Sequence, residues 1–387
     1  MFKYLKYFTS TFILLIGGYT CSIGTHFPTY FFIGFSLVLI FGDMFLGEDT
    51  SNDEYKYPQI INFPMYINLP ILFLFVLVVV SVFSNSSPIW VINILDKYIY
   101  IDFIEYKNSI TILDKFSLVA ITSLFMGIMG TVPGHELTHR KKDKFDMFIG
   151  NWMLALSWDC AFAIEHVYGH HKNVGLPIDP ATAKRGDNIY MFILNAAIKE
   201  HKDAWILEFE HLKRRGIKPF GLQNKMIIGY LRSLSVTVLA YLVGGLMGMV
   251  FYLLLALITK ALLEAINYTE HYGLVREPDK PVCPRHSWNS NHILSGLILY
   301  NITRHSSHHE KSNIKFWKLK AYPDAPMMPL GYLGMLYLAI FLPYFYNKIM
   351  ARKLIDWDEN YATEREREIA LIDNKNSGIS LLMESSK

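Results

Sequence analysis

Three histidines fall within five residues in the stretch Asn301-Ile302-Thr303-Arg304-His305-Ser306-Ser307-His308-His309. On a helix, His305, His308 and His309 stand at i, i+3 and i+4 and share one face. Neutral imidazole is the commonest nitrogen ligand for iron, zinc, copper and nickel, so such a face is a metal-ligand constellation. Two further clusters carry the same signature, His135-Glu136-Leu137-Thr138-His139 and Glu165-His166-Val167-Tyr168-Gly169-His170-His171. Burying a polar ring without a partner costs about 1–3 kcal/mol. Eight clustered rings therefore need a common partner, and metal coordination supplies it. His26, His201, His211, His286 and His292 stand apart from the clusters and read as ordinary core or surface residues.

A ninth ring, His271, sits in Asn267-Tyr268-Thr269-Glu270-His271-Tyr272-Gly273, just past the last long apolar run. Eight or nine nitrogens exceed one metal's needs, and two metals with about four or five ligands each is the simplest division. Imidazole without thiolate suits iron, copper or zinc. Glu136, Glu165 and Glu270 lie beside proposed ligands, and Asn267 shares the His271 segment. Such groups fix a ligand's tautomer or complete a coordination sphere; the plain alternative is a surface charge. The first cluster is also H-E-x-x-H, in which Glu136 would activate water on zinc for peptide hydrolysis. A zinc protease needs one further ligand, whereas two further clusters are present.

The elements that must position these rings are long apolar helices. The chain is 52% hydrophobic and only 18% charged over 387 residues, against roughly 25% charged in soluble proteins. A net charge of +3 gives no argument for nucleic acid. Cys21, Cys160 and Cys283 are widely spaced, which excludes a disulfide framework and fits a reducing compartment. About 20 mostly apolar residues span a bilayer, and six segments come close: 8–26, 29–46, 67–85, 113–133, 229–247 and 248–266. The first two, joined by Thr25–Pro28, read as a hairpin. The last two meet around Gly244, Gly245 and Gly248, as a tight pair or one bent helix. Lys3 and Lys6 before an apolar run resemble a signal peptide, but the run is long and a second span follows at once. The run 89–102 reads as interfacial, and 331–346, interrupted by Pro343, as membrane-associated.

Lys3 and Lys6 precede the first span, while Arg140, Lys141, Lys142 and Lys144 follow the fourth. By the positive-inside rule both ends are cytoplasmic, and all histidine clusters fall on that face. The expected cap is mainly 134–228 and 267–330, within a membrane domain of 1–350. Within it, Lys199 to Arg215 reads as a solvated amphipathic helix. Residues 351–387 read as a charged cytoplasmic tail, helical to about Asp373 and then frayed.

These clusters resemble the histidine boxes of the integral-membrane di-iron hydroxylases and desaturases, in the form of the alkane monooxygenase branch. That pattern of H-E-x-x-H, E-H-x-x-G-H-H, N-Y-x-E-H-Y-G and R-H-x-x-H-H is met at 135–139, 165–171, 267–273 and 304–309. Its flanks resemble Pro284-Arg285-His286-Ser287-Trp288-Asn289-Ser290 and Tyr322-Pro323-Asp324-Ala325-Pro326-Met327-Met328-Pro329, and the likeness runs from about 40 to 350. Arg185-Gly186-Asp187-Asn188-Ile189-Tyr190, Leu212-Lys213-Arg214-Arg215-Gly216 and Asp356-Trp357-Asp358-Glu359-Asn360-Tyr361-Ala362-Thr363 look more like the xylene monooxygenase hydroxylase subunit. Thr138-His139-Arg140 stands where alkane monooxygenases usually have Gly-His-Lys.

The resemblance implies an all-α, desaturase-like fold of six membrane helices with a cytoplasmic cap, in the cell inner membrane. It implies two non-haem irons held by His135, His139, His166, His170, His171, His271, His305, His308 and His309. The implied reaction is O2-dependent hydroxylation of a terminal methyl group, most simply of a medium-chain n-alkane. Electrons would come from a rubredoxin or a ferredoxin-type reductase. An apolar substrate would enter from the bilayer between helices. Candidate walls are Leu118, Ile121, Phe125 and Ile128 on the fourth span, with Phe251, Leu254 and Ile258 on the sixth. The basic residues Lys141, Lys142, Arg214 and Arg215 could dock an acidic electron carrier. Rival readings are an alkyl-arene methyl monooxygenase, an acyl desaturase or hydroxylase, the zinc protease and a metal transporter. A transporter would carry its ligands along a path within the bilayer, whereas these boxes follow the apolar spans.

Overall fold

In a bilayer the backbone has only itself for a hydrogen-bonding partner, and long apolar runs answer by becoming helices. The computed structural model describes residues 2–85, 87–100 and 102–387, so Ile101 of the run 89–102 lies outside the described residues. Among these the secondary structure is helical, with two isolated bridges, Glu48 to His292 and Asn289 to Met327. Four helices are long and apolar enough to cross a membrane: Phe27–Leu46, Pro58–Val82, Ile112–Thr138 and Lys225–His271. This is a membrane protein.

The first expected segment, 8–26, is a regular α-helix only over Thr9–Ser22. Short helical turns, Phe2–Leu5 and Lys6–Phe8, precede it. Left-handed Gly24, Thr25 and His26 then turn the chain into the second helix. The helix expected over 67–85 begins at Pro58, because proline suits the first helical turn, where its missing N–H has no partner to lose. Its Asn68 is buried but satisfied by the Thr11 hydroxyl at 2.7 Å. The fourth element starts at a capping box, Thr111 with Asp114, and runs to Thr138 through a π-helical turn at Met126–Thr131.

The 47 residues Lys225–His271 contain one non-helical residue, Gly245, at φ 64° and ψ −161°. That region of backbone space is essentially open to glycine alone. A Cβ on Gly248 would lie 3.2 Å from the Ala240 carbonyl, whereas eight residues along a straight helix span about 12 Å. The chain therefore doubles back at Gly245. Gly244 and Gly248 both press on the Val80 carbonyl, where a Cβ would stand 2.9 and 3.3 Å away.

The chain divides into two compact units. The first comprises Met1–Val38, Lys56–Cys160 and Phe220–Lys260, and carries His135 and His139. Its helices are stitched by buried polar pairs, such as Thr29 to Asp114 at 2.7 Å and Lys260 to Asp159 at 3.1 Å. The second comprises Leu39–Tyr55, Ala161–Pro219 and Ala261–Lys387, and carries the other six clustered histidines and His271. In it the amphipathic helix begins ten residues before Lys199, at Ile189, where Asn188 caps it, and ends at Arg214. Pro343 divides 331–346 into Tyr332–Phe341 and the start of Pro343–Asn360. The terminal residues expected to fray form a helix, Ser380–Ser385, with Leu382 fully buried.

Candidate metal centre

Within the first unit the H-E-x-x-H box rides on the last turns of the fourth element. Its i, i+4 spacing puts His135 Nε2 and His139 Nε2 3.0 Å apart, both rings buried. Glu136 is not free to act as a base. Arg140 grips its Oε1 from Nε at 3.1 Å and Nη2 at 2.7 Å, and also reaches Asp146 at 3.0 Å and Asn62 at 2.9 Å. A carboxylate neutralised in this way by a guanidinium is poorly suited to activate water, which argues against the zinc-peptidase role.

In the second unit the E-H-x-x-G-H-H box does something that plain helical spacing does not allow. Residues five apart diverge around an α-helix of 3.6 residues per turn. Here His166–His170 forms a π turn, in which the His171 N–H bonds the His166 carbonyl. Such i→i+5 turns recur at functional sites. His166 and His171 consequently meet, Nε2 to Nε2, at 3.1 Å. Gly169 makes room within the turn, since a Cβ there would stand 2.3 Å from Glu165 Oε1. Phe162 stacks on His166 with ring centroids 4.4 Å apart.

The ligand atoms of His166, His171 and His308 lie within 4.8 Å of one another, as do those of His170, His271 and His309, and those of Glu270, His271 and His305. His305–Glu310 is a short helix whose three rings are buried. Arg304, just before it, anchors its entry by bonding the carbonyls of Asp49, Ser51 and Leu319 at 2.7 to 3.0 Å.

The tautomers point the same way. Nδ1 of His170 faces Asp179 at 2.9 Å, Nδ1 of His271 faces the His286 carbonyl at 3.2 Å, and Nδ1 of His305 faces the Ile302 carbonyl at 3.3 Å. Each Nδ1 thus carries the proton, leaving Nε2 as a lone pair. His271 Nε2 and His305 Nε2 then face each other at 3.1 Å, and His309 Nε2 approaches His305 Nε2 at 3.0 Å. His170 Nε2 is buried and has no hydrogen-bond partner among the described residues. Lone pairs held this close repel unless a cation lies between them. Metal–nitrogen bonds of about 2.1 Å put neighbouring ligands at such separations, so the donor set fits a metal.

Burial, and then the crowd of His171, His305, His271 and His170, keep His309 far below its ordinary pKa, in the neutral form that ligates. Burial alone would raise the Asp179 carboxyl. The facing His170 ring and the Thr182 hydroxyl at 2.6 Å outweigh it and hold Asp179 below its ordinary value. Asp179 was missed in the sequence, because nothing local marks it. Only the fold brings it to a ligand nine residues away.

The other candidates divide. Glu270 reaches His305 Nε2 at 3.4 Å. Asn267 donates from its amide to two buried carboxylates, Glu264 at 3.1 Å and Glu200 at 3.4 Å. Leu118, Ile121, Phe125 and Ile128 are all buried. Phe125 lies among Phe31, Phe35 and Phe75, and Leu118 borders an apolar cleft of about 270 Å³ with Leu14, Phe75 and Tyr106. The sixth-span trio faces another way. Leu254 is 39% exposed, Ile258 is half-buried, and half-buried Phe251 stacks on Phe83 at 3.8 Å. The inward face of that helix is Tyr252, Leu255, Ala256 and Thr259, about 100° round from the expected one.

Comparison with known proteins agrees with this geometry. The fatty acid desaturase family model matches residues 115–346. Alkane 1-monooxygenase 1 of Pseudomonas aeruginosa is 34% identical over 336 residues, covering 84% of this chain and 83% of that protein. Alkane 1-monooxygenase 1 of Alcanivorax borkumensis is 32% identical over 349 residues, covering 84% and 78%. The xylene/toluene monooxygenase hydroxylase component of Pseudomonas putida is 36% identical over 265 residues, covering 66% and 69%. With its membrane helices and its buried, lone-pair-bearing imidazoles, this chain belongs to the alkane 1-monooxygenase family and is an alkane 1-monooxygenase-like oxidoreductase.

Proposed function

We propose that the protein hydroxylates the terminal methyl group of a medium-chain n-alkane to the primary alcohol, using O2 and two non-haem irons. The observation that carries this is the cluster of facing Nε2 lone pairs, such as His271 and His305 at 3.1 Å. His135 and His139 in the first unit, and His166, His171 and His308 in the second, are assigned as iron ligands. Within the second unit one iron is assigned to His170, His271, His305 and His309, with Glu270 beside it. Iron bound there supplies the redox chemistry of O2 activation that an unactivated C–H bond demands and that zinc lacks. The chain's own part is to hold each imidazole neutral and aimed. Asp179 fixes the His170 tautomer, and the His286 and Ile302 carbonyls do the same for His271 and His305.

The finer topology is six crossings in the cell inner membrane, with the histidines cytoplasmic. It is supported by the reversal at Gly245 and by the basic residues Lys3, Lys6 and Arg140 to Lys144. Substrate enters from the bilayer past the fourth-span residues Leu118, Ile121, Phe125 and Ile128. A rubredoxin or ferredoxin-type donor supplies electrons, drawn by basic residues on each unit, Lys141 and Lys142 on the first and Arg214 and Arg215 on the second. A second reading, methyl hydroxylation of an alkyl-arene, is favoured by the 36% identity to the xylene/toluene monooxygenase component.

Metal analysis of detergent-purified protein is expected to give about two irons per chain, the number the ligand division calls for. His308→Ala is expected to lower iron content and abolish hydroxylation. Full iron loading with retained turnover in that variant would sink the assignment. Turnover of octane against xylene separates the two substrate readings.

A further inference from the structure

His286, which looks ordinary in sequence, is fully buried and works at both ends. Its Nδ1 accepts the Cys283 N–H at 3.0 Å, so its Nε2 carries the proton and donates to Glu366 Oε1 at 2.8 Å. Its backbone carbonyl meets His271 Nδ1 at 3.2 Å. Glu366, also fully buried, takes Arg285 as well, at 2.8 and 3.1 Å. It sits in the first turn of the helix Glu364–Asn376, where its carboxylate closes a capping box with Thr363.

The loop between His271 and Trp288 has little regular structure of its own. Trp288 closes its base by donating from its backbone N–H to the Glu270 carbonyl and from Nε1 to the Tyr272 carbonyl, each at 2.9 Å. The far side is held by the C-terminal helices. Trp357 Nε1 donates to the Arg285 carbonyl at 2.7 Å. Arg185 links the Gly273 carbonyl at 2.8 Å to Asp358 and Asn374. Gly273, at φ 70°, leaves no room for a side chain, since a Cβ would meet Leu354 at 2.8 Å.

We propose that Glu366 is a positioning residue for the metal centre, acting through His286 to aim His271. The charged C-terminal segment is then a clamp on one of the two metal positions rather than a solvated tail. The order of contacts carries the inference. A buried carboxylate fixes the His286 ring, the ring fixes the backbone of that loop, and the loop's carbonyl fixes the tautomer and rotation of a ligand. Partners beyond the ligands are commonly worth 10- to 100-fold in metal affinity. Acting at one further remove, Glu366 should account for about tenfold, and for one position only.

This rests on the two-metal reading, and the test separates the two. Detergent-solubilised full-length protein is titrated with Co(II), followed by visible absorption and by metal content after desalting. The wild type is expected to take up two ions. Glu366→Gln should weaken one site about tenfold and leave the other unchanged, while the exposed Glu368→Gln matches the wild type. Affinities unchanged from the wild type at both sites in Glu366→Gln, or equal weakening of both, overturns the clamp. A wild type that takes up one ion overturns the two-metal reading instead. If Glu366→Gln does not yield monodisperse protein, Arg285→Met removes the partly exposed half of the same clamp and carries the same expectation.

Discussion

His135 and His139 meet by the ordinary arithmetic of an α-helix, four residues apart on one face, with ring nitrogens at 3.0 Å. His166 and His171 reach nearly the same separation, 3.1 Å, from five residues apart, and need a π turn to do so. The difference is chemical as well as geometric. A helix that offers only i and i+4 presents one pair of rings to one direction. The π turn brings His166 and His171 together and leaves His170, between them in sequence, to turn toward His271 and His309. One short segment therefore serves two groups of ligands. The first box serves one.

Breaking that distinction should have the largest effect. Inserting one alanine after Tyr168 puts His171 six residues from His166 and rotates His170 and His171 by about 100° relative to it. At least one metal per chain should be lost, and activity should fall by about 100-fold or more, as for other misplaced catalytic groups. Full metal content in the insertion variant would show that the register of the turn is dispensable.

A smaller effect isolates His170 alone. Asp179→Asn keeps the shape but removes the charge that fixes the ring's tautomer. Metal affinity at one position should drop about 10- to 100-fold, measured by competition with a chelator of known affinity. Unchanged affinity would make Asp179 a purely structural partner.

The smallest effect sharpens the first box. Glu136→Gln loosens the buried tie to Arg140 and should cost about 1–3 kcal/mol of stability, read from thermal unfolding with metal content retained. Loss of metal would give Glu136 a ligand role, and loss of activity at full metal content would revive the base role that H-E-x-x-H suggests.

Much of this was legible in the chain itself, because it depends on neighbours a few residues apart. The eight clustered histidines, the reversal near Gly245 and the break at Pro343 follow from local spacing and from residues with unusual backbone freedom. What escaped was non-local. Asp179 is an unremarkable acidic residue until Thr182 and His170 surround it. His286 looked solitary because its partner, Glu366, lies 80 residues away. On the sixth span an all-apolar helix gives no polar face from which to read its rotation, so the buried face of Tyr252, Leu255, Ala256 and Thr259 was not legible.

The turn at Gly245 bears on how the protein is made. With no hydrophilic loop between the two arms, the machinery that inserts this segment has no stretch to translocate and release. With the reversal at Gly245, the two arms are expected to enter the membrane as a single hairpin. A reporter fused at that apex would have to break the approach of Gly244 and Gly248 to the Val80 carbonyl before it could report which side it had reached.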